Sequence, residues 1–393
     1  MNKLYLLLKD FCPNGVEYQE LAHAVSIERG KRVVREQLDE TGLYPVYQNS
    51  LTPLGYHSQW NYPAETTFLI VAGAAGEIGY STCNFWAADD CFPLVCGENL
   101  SSRYLYHVML WLQPTILSRV RKASIPRLSR DSIERLTIPL PPIEVQHEIV
   151  RILDTFTELT AELTAELTAR QKQYEYYRDK LLSFGENGGG ETRSNIQFFL
   201  VAEIADTNIG LATTVTKYKA NQGVLLIHNS DIQENEIVLK QHEYITEAFA
   251  EKNHKKRLQE NDVITVHTGD VGTSAVISKE YAGAIGFTTI TSRIRNPQKV
   301  LPEYFCHYLN SHRCKAEIAS MTISDRSNLN QNCFEKLRIP IPPIDEQRRI
   351  VTILDHFSTL CTGLTSGLPA EIEARQKQYE YYRDKLLTFT PAD

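Results

Sequence analysis

The sequence predicts an α+β protein in which two blocks of mixed α/β structure alternate with two long helical segments, as an internal repeat. The strongest observation is a segment of thirteen residues, RQKQYEYYRDKLL, which occupies positions 170–182 and returns unchanged at 375–387. Around each copy, apolar residues follow a heptad spacing that is typical of packed helices. The remaining blocks contain short β-branched runs between Gly, Asn and Pro, which predict strands and turns.

The composition is that of a soluble globular protein: 393 residues, 42% hydrophobic and 23% charged, enough for two or three domains. The apolar run LYLLL (4–8) is too short for a membrane span and lacks a signal-peptide cleavage pattern. We therefore expect a cytoplasmic location and no membrane partner. The eight cysteines are scattered without the paired spacing of zinc ligands, which predicts reduced thiols and no metal site.

Each helical segment follows a pair of prolines, and IPLPPIEVQHEIVRILDTF (138–156) matches IPIPPIDEQRRIVTILDHF (339–357). In the first segment, apolar positions in steps of three and four define a seam on one helix face: Ile149, Ile152, Phe156, Leu159, Leu163, Leu167, Tyr174, Tyr177 and Leu181. The second segment has the same seam with four extra residues, so the two seams can pack against each other. Gly363, Gly367 and Pro369 predict a break, with Pro369 in the first turn of a restarted helix.

These patterns predict the domain boundaries. We expect a first variable block over 1–137, a helical segment over 138–184, a flexible linker over 185–195, a second variable block over 196–338 and a second helical segment over 339–393. Strand-like runs in both blocks precede glycine fragments, GEIG (76–79) and GDVG (269–272). Tight turns are favoured over phosphate binding there, because the three-glycine dinucleotide pattern is lacking.

Helix packing alone does not explain why the thirteen residues are identical in both copies. The seam accounts for Tyr174, Tyr177 and Leu181, but packing tolerates drift at the positions that lie off the seam. We therefore expect a second contact surface, presented twice to two copies of one partner, with internal packing alone as the alternative. The predicted partner-binding residues are Gln173, Tyr176, Arg178, Gln378, Tyr381 and Arg383.

Three stretches carry a resemblance to a known family: IPLPPIEVQHEIVRILD, the tetrapeptide run LTAELTAELTAR (159–170) and RQKQYEYYRDKLL. They resemble the conserved regions of type I restriction-modification specificity subunits, and LLIHNSDI (225–232) and NDVITVHTGDVG (261–272) match the family more loosely. The resemblance implies two target-recognition domains that each read half of a bipartite, asymmetric DNA target. It also implies two long helices packed as an antiparallel coiled coil, with the domains in pseudo-two-fold relation.

The same resemblance implies the partners. Two methyltransferase subunits would bind S-adenosylmethionine and flip the target adenine out of the duplex, and restriction subunits would join for cleavage. The chain itself would be catalytically inert and would bind no cofactor. Its residues agree, since it contains no N/D-P-P-Y/F methylation motif and no Walker A motif.

Double-stranded DNA is read by side chains that anchor phosphates or reach base edges. The net charge is −7, but local basic runs occur at RVRK (119–122) and KNHKKR (252–257), where solvated loops are the alternative interpretation. The predicted DNA-binding residues of the first block are Lys31, Arg32, Arg35, Gln48, Asn49, Ser50, Arg121, Lys122 and Arg127. Those of the second are Lys217, Lys219, Asn229, Ser230, Lys255, Lys256, Arg257, His267, Thr268, Arg326, Ser327 and Asn328.

Two other functions remain open at this stage. A coiled-coil adaptor whose variable domains bind proteins or peptides would have the same helices. A self-sufficient restriction-methylation enzyme is disfavoured by the missing methylation motif.

Overall fold

A computed structural model describes residues 2–184, 196–322, 328–362 and 367–392, so the predicted linker 185–195 lies outside the described residues. The helices are α1 (Asn2–Phe11), α2 (Leu21–Ala24), α3 (Ser102–Ser118), α4 (Arg130–Glu134), α5 (Ile143–Leu182), α6 (Val201–Ile204), α7 (Glu247–Lys252), α8 (Pro302–Leu309), α9 (His312–Met321), α10 (Gln331–Phe334), α11 (Ile344–Thr362) and α12 (Leu368–Leu387). Among them, none combines the length and apolar content of a membrane span.

Most strands are short. They are β1 (Tyr18–Glu20), β2 (Val25–Ile27), β3 (Tyr44–Tyr47), β4 (Gly55–His57), β5 (Thr66–Ile70), β6 (Ile78–Ser81), β7 (Trp86–Ala87), β8 (Cys91–Cys96), β9 (Thr137–Pro139), β10 (Gln197–Leu200), β11 (Ala205–Ile209), β12 (Lys219–Ala220), β13 (Val224–His228), β14 (Ile232–Gln233), β15 (Glu236–Ile237), β16 (Glu243–Ile245), β17 (Val263–Val266), β18 (Ser274–Val276), β19 (Ile285–Phe287), β20 (Thr289–Ile294) and β21 (Arg338–Ile341). The predicted mixed α/β architecture is confirmed.

The chain forms two compact units. The first unit comprises Met1–Leu163 together with Ile372–Asp393, and the second comprises Thr164–Glu371. Each unit thus joins one variable block to parts of both helical segments, a grouping that the linear order of blocks did not suggest. The predicted domain boundaries within the sequence stay a prediction.

The first unit is built on two sheets. One is antiparallel with the order β2-β8-β5-β6, and the other is mixed with the order β4-β3-β7. Strand β5 is buried along its whole length, because α3 covers the antiparallel sheet with Tyr104, Leu105 and Val108, which are fully buried. The pair β1–β9 leads into α5.

The second unit repeats this topology with additions. Its antiparallel sheet has the order β11-β20-β17-β18, and its mixed sheet has the order β12-β16-β13-β19. Strands β13 and β19 pair in parallel as β3 and β7 do, and β10–β21 takes the place of β1–β9. The added elements are β12 and the β14–β15 hairpin.

The same polar contacts join the helical segment to the variable block in both units. The Tyr104 hydroxyl donates to the Pro139 carbonyl (3.2 Å), as the Tyr304 hydroxyl donates to Pro340 (2.8 Å). Gln146 and Gln347 are fully buried at the start of α5 and α11, and each side-chain amide donates to the carbonyl of a preceding proline. These contacts fix the direction in which each helix leaves its block.

On α5, the predicted seam corresponds to buried and half-buried positions except at Tyr177, which is exposed. On α5, Leu159, Leu163 and Leu167 are half-buried. Phe156 stacks on Tyr382 in the first unit (centroids 5.3 Å apart, planes at 18°). Tyr177 stacks on Phe357 in the second unit in nearly the same way (5.6 Å, 19°).

The second helical segment is interrupted as predicted. Helix α11 ends at Thr362 and α12 begins at Leu368, which puts Pro369 in the first turn of the restarted helix. Gly363 lies outside the described residues.

Candidate nucleic-acid interface

Three loops of the first unit meet at one place, defined here as the first loop cluster: residues 48–50, 72–76 and 121–127. The Ala74 amide donates to the Asn49 carbonyl (2.9 Å), and the Gly73 amide donates to the Pro126 carbonyl (3.2 Å). Gly73 has φ of +81°, and a Cβ there would lie 2.8 Å from the Asn49 carbonyl oxygen, so this close approach requires glycine. Gly76, the first residue of the GEIG fragment, also has a positive φ (+95°), which supports the turn interpretation of that fragment.

The first loop cluster brings together six predicted residues from distant parts of the chain. Backbone hydrogen bonds in both directions hold Arg121 to Arg127 (2.8 and 3.2 Å). These two arginines and Lys122 are exposed, as is Asn49, whereas Gln48 and Ser50 are half-buried. Cations and amide side chains thus share one surface, which suits contacts to phosphates and to base edges.

The remaining predicted residues of the first block lie on one exposed segment. The Lys31 amide donates to the Ala87 carbonyl (2.9 Å), and Ala87 pairs with Tyr47, directly before Gln48. Lys31 is thereby held beside the first loop cluster. Arg32 and Arg35 follow on the same segment and are exposed.

The second unit has an equivalent arrangement, the second loop cluster: residues 229–231, 268–272 and 328. The Asn229 side-chain amide donates to the Thr268 carbonyl, and Thr268 forms a β-bridge with Asn328. The buried Asp231 carboxylate shapes the first loop by accepting from the His228 amide (2.9 Å). The bridge between Thr268 and Asn328 corresponds to the bridge between Ala72 and Arg127 in the first loop cluster. The first two loops are joined by a side chain here and by the backbone in the counterpart.

Predicted residues lie in and beside the second loop cluster. His267 precedes Thr268, and its ring Nδ1 lies against the Leu329 carbonyl. Ser230 and Asn328 are exposed. Arg326 and Ser327, which are predicted to bind DNA, lie outside the described residues.

A cleft of about 640 Å³ opens at the second loop cluster. The polar residues that line it beside Asn229 and Thr268 and that sequence reasoning missed include Gln233, Lys240 and Asp270. Gln233 belongs to the β14–β15 hairpin, whose tip is Asn235 at φ of +64°. The turn residues of QENE (233–236) are the only sequence signal that could have indicated this hairpin.

The other basic candidates of the second block have partners within the chain. Lys219 pairs with Glu243 (2.8 Å), and Arg257 pairs with Glu247. The Lys256 ammonium donates to the carbonyls of Ile209 and Gly210, and burial lowers its pKa. The partners in these contacts lie outside the second loop cluster.

Two further lysines of the second block, Lys217 and Lys255, are exposed. Lys255 lines a separate cleft of about 230 Å³ together with Asp206, Asn208 and Arg293. The second block therefore distributes its predicted DNA-binding residues over more than one surface.

The two tyrosines predicted to bind a partner have matching surroundings. Tyr176 and Tyr381 are each 60% exposed. Each ring meets its neighbouring tyrosine edge-on at 5.4 Å, and a lysine ammonium lies 5.6 or 5.8 Å from the ring centroid. Gln173 and Gln378 are half-buried and accept hydrogen bonds from the arginine three residues before them.

Arg178 lies off the seam, and we expected that it plays no part in packing within the chain. That expectation is wrong, because Arg178 is only 6% exposed and its guanidinium donates to the Glu234 carboxylate (2.7 Å). In the second half of α5, the seam residue Tyr174 and the off-seam residue Arg178, four residues later, both contact the β14–β15 hairpin. Arg383, at the same place in the other copy, is half-buried and pairs with Asp384 (2.9 Å).

Comparison with known proteins decides the family. The protein-family model of the type I restriction modification DNA specificity domain matches residues 13–170 and 194–374 of this sequence. The chain belongs to this family. A type I restriction enzyme specificity subunit of Haemophilus influenzae is 31% identical over 95% of this chain and 96% of its own length. A type I restriction enzyme specificity subunit of Escherichia coli is 33% identical over 84% of both chains.

Solved structures agree on the fold of the specificity subunit. The S subunit of a type I restriction-modification system from M. genitalium superposes with a TM-score of 0.65 over 95% of this chain and 96% of its own, at 16% identity. A chain from a structural study of the assembly of the type I system superposes with a TM-score of 0.61.

Proposed function

We propose that this specificity subunit reads a bipartite, asymmetric DNA target, one half with each loop cluster, and has no catalytic activity of its own. The observation that carries the proposal is that both loop clusters have an equivalent β-bridge, Ala72–Arg127 and Thr268–Asn328, and different side chains. Arg127 in the first corresponds to Asn328 in the second, because each precedes a leucine whose amide donates to the carbonyl of the residue that follows β5 or β17. An arginine and an asparagine favour different bases, guanine and adenine respectively. Equivalent bridges with different side chains suit two different half-sites.

The predicted residues divide by chemistry. Lys31, Arg32, Arg121 and Lys122 are exposed cations and would anchor phosphates. Asn49, Asn229 and Asn328 carry donors and acceptors that can reach base edges in the major groove. Since the net charge is −7, partner subunits would supply much of the remaining backbone contact.

The long helices would act as an antiparallel coiled-coil spacer between two recognition domains in pseudo-two-fold relation. The support is the pair of equivalent aromatic stacks, Phe156 on Tyr382 and Tyr177 on Phe357, each formed within one unit. Phe156 and Phe357 occupy equivalent positions of the repeat, and so do Tyr177 and Tyr382.

The identical segments would each dock one methyltransferase subunit, with Tyr176 and Tyr381 as the central contacts. An exposed tyrosine flanked by charges is typical of an interface. S-adenosylmethionine would be bound by those partner subunits and not by this chain, and restriction subunits would join the complex for cleavage. Arg178 has no free donor face toward a partner in this arrangement, since it is buried against Glu234.

Co-purification tests the docking surface. Replacing Tyr176 and Tyr381 together by Ala should weaken recruitment of the methyltransferase subunits, while the fold stays intact because both side chains are 60% exposed. A matched control replaces Glu162 and Glu373, exposed residues of the same helices outside the identical segments, by Ala. Unchanged recovery of two partner subunits by the tyrosine variant would overturn this docking surface.

Binding measurements separate the proposal from its alternatives. The assembled complex should bind its target duplex with an affinity that falls steeply with salt, whereas a coiled-coil adaptor for proteins would show no such binding. The chain alone should not bind S-adenosylmethionine. Binding of that cofactor by the isolated chain would favour a self-sufficient methylation enzyme.

A further inference from the structure

The β14–β15 hairpin lies between two functional regions of the second unit. On one side, Gln233, Glu234 and Glu236 form part of the wall of the cleft that Asn229 and Thr268 also line. On the other side, its tip contacts α5 through the segment that is identical in both copies. The hairpin thus touches both the candidate DNA-reading loops and the helix.

The contacts of the hairpin tip are polar and closely spaced. The Glu234 carboxylate accepts from Arg178 (2.7 Å) and from Lys315 (2.7 Å), and Lys315 also donates to the Thr273 hydroxyl (3.2 Å). Thr273 belongs to the same cleft. One carboxylate therefore connects α5, α9 and the glycine turn of the second loop cluster.

Asn235 makes the second set of contacts. Its side-chain amide donates to the Tyr174 hydroxyl (3.1 Å), and its side-chain carbonyl accepts from Asn310 (2.9 Å). Its backbone amide donates to the Ser274 carbonyl (2.9 Å), next to Thr273. The left-handed backbone at Asn235 (φ +64°) is held by these three bonds.

The other copy of the segment makes different contacts. In the first unit, the Tyr379 hydroxyl lies 3.1 Å from Nδ1 of the buried His107, whose Nε2 contacts Asp154 (2.8 Å). In the second unit, Nε2 of His307 keeps the equivalent contact to Asp355 (2.7 Å). Its buried Nδ1 has no hydrogen-bond partner among the described residues, and Tyr174, which corresponds to Tyr379, is bonded to Asn235. Tyr174 thus bonds to the β14–β15 hairpin, whereas the equivalent Tyr379 bonds to a histidine.

We propose that Glu234 and Asn235 are positioning residues for the second half-site: they hold the second loop cluster on Tyr174 and Arg178 of α5. The inference rests on the proposed function of the loop clusters. Reading of the second half-site then depends on the Tyr174 hydroxyl and on the Glu234 charge. It does not depend on Tyr379, although Tyr174 and Tyr379 occupy the same place in an identical sequence. Bidentate contacts to a base tolerate little displacement of the loop that carries them, so a loosened hairpin would lower discrimination.

The test uses the complex assembled with its methyltransferase subunits and the target motif read from its methylated adenines. Three duplexes are compared: the target, the target with the first half-site scrambled and the target with the second scrambled. The ratio of affinities for the target and for each scrambled duplex measures discrimination at that half-site. The variants are Tyr174→Phe and Glu234→Gln, with Tyr379→Phe as the matched control.

Tyr174→Phe and Glu234→Gln should each lower discrimination at the second half-site by about fivefold, the loss expected for one hydrogen bond, and leave the first unchanged. Tyr379→Phe should leave the second half-site unchanged. Glu234→Gln also removes a negative charge from the cleft wall, which raises affinity for all three duplexes alike and therefore cancels in the ratio. A purely structural effect would lower all affinities together and would likewise leave the ratio unchanged.

Two results would overturn the inference: unchanged discrimination at the second half-site in both variants, or an equal loss there in Tyr379→Phe. If the unmodified complex discriminates at neither half-site, the proposed function itself fails.

Discussion

The tetrapeptide run in α5 offers a direct perturbation of the proposed spacer. Helix α5 is continuous from Ile143 to Leu182, and Thr164–Leu167 lies inside it. Leu163 and Leu167 are half-buried, whereas the three residues between them are exposed. Deleting Thr164–Leu167 therefore removes one repeat unit. Tyr174 then follows Leu163 after seven positions, so both residues stay on the seam.

The magnitude follows from helix geometry. Four residues rise about 6 Å and turn about 400°, so the deletion shortens the helix by about 6 Å while rotating its downstream face by about 40°. One base pair corresponds to about 3.4 Å along the duplex. If the helices set the separation of the half-sites, the unspecified spacer should shorten by one base pair, or by two, with both half-sites unchanged.

Long-read mapping of methylated adenines in cells that carry the variant measures the spacer. The control deletes only Thr164 and Ala165, which rotates the downstream face by about 200° and should abolish methylation by disrupting the seam. A spacer of unchanged length in the four-residue deletion, or a half-site of changed identity, would refute the idea that these helices act as a ruler.

Two further predictions concern the first unit. Exchanging residues 1–137 for the corresponding block of a relative should change one half of the methylated motif; a change in both halves would mean that the blocks do not read independently. Glu148 on α5 has a pKa lowered to about 2, by hydrogen bonds from Arg151 and then Lys3 on α1. Because the folded pKa is lowered, this stabilisation is present above the ordinary carboxyl pKa and is lost as the pH falls toward 2. Glu148→Gln should therefore lower the free energy of unfolding by about 1 kcal/mol at pH 7, and thermal melts should show the difference shrinking between about pH 5 and pH 2. A difference that is constant with pH would exclude the ionised carboxylate as its source.

The helical segments could be predicted because their signals are local. The spacing of Phe156, Leu159 and Leu163 defines a helix face within a few turns, and Pro369 marks a restart in any context. The same holds for the predicted glycine turn at 76–79, where Gly76 has a left-handed backbone (φ +95°). Identity between the two copies added information that one copy alone would not contain.

The contacts between distant residues could not be predicted. The bridge between Ala72 and Arg127 and the ion pair between Arg178 and Glu234 join residues far apart in sequence, and neither has a local pattern. Arg178 is off the seam and charged, so periodicity alone places it on the surface. Its burial depends on the β14–β15 hairpin, which has no counterpart among the sheets of the first unit's described residues. The two identical segments thus make different side-chain contacts, because the residues around them differ.

Mapping of methylated adenines in a host that expresses this subunit with its methyltransferase subunits tests the central claim most directly. We expect a bipartite, asymmetric motif with two different half-sites separated by an unspecified spacer, and loss of that methylation when the subunit is deleted. A single uninterrupted motif, two identical half-sites, or methylation that persists without this chain would contradict it.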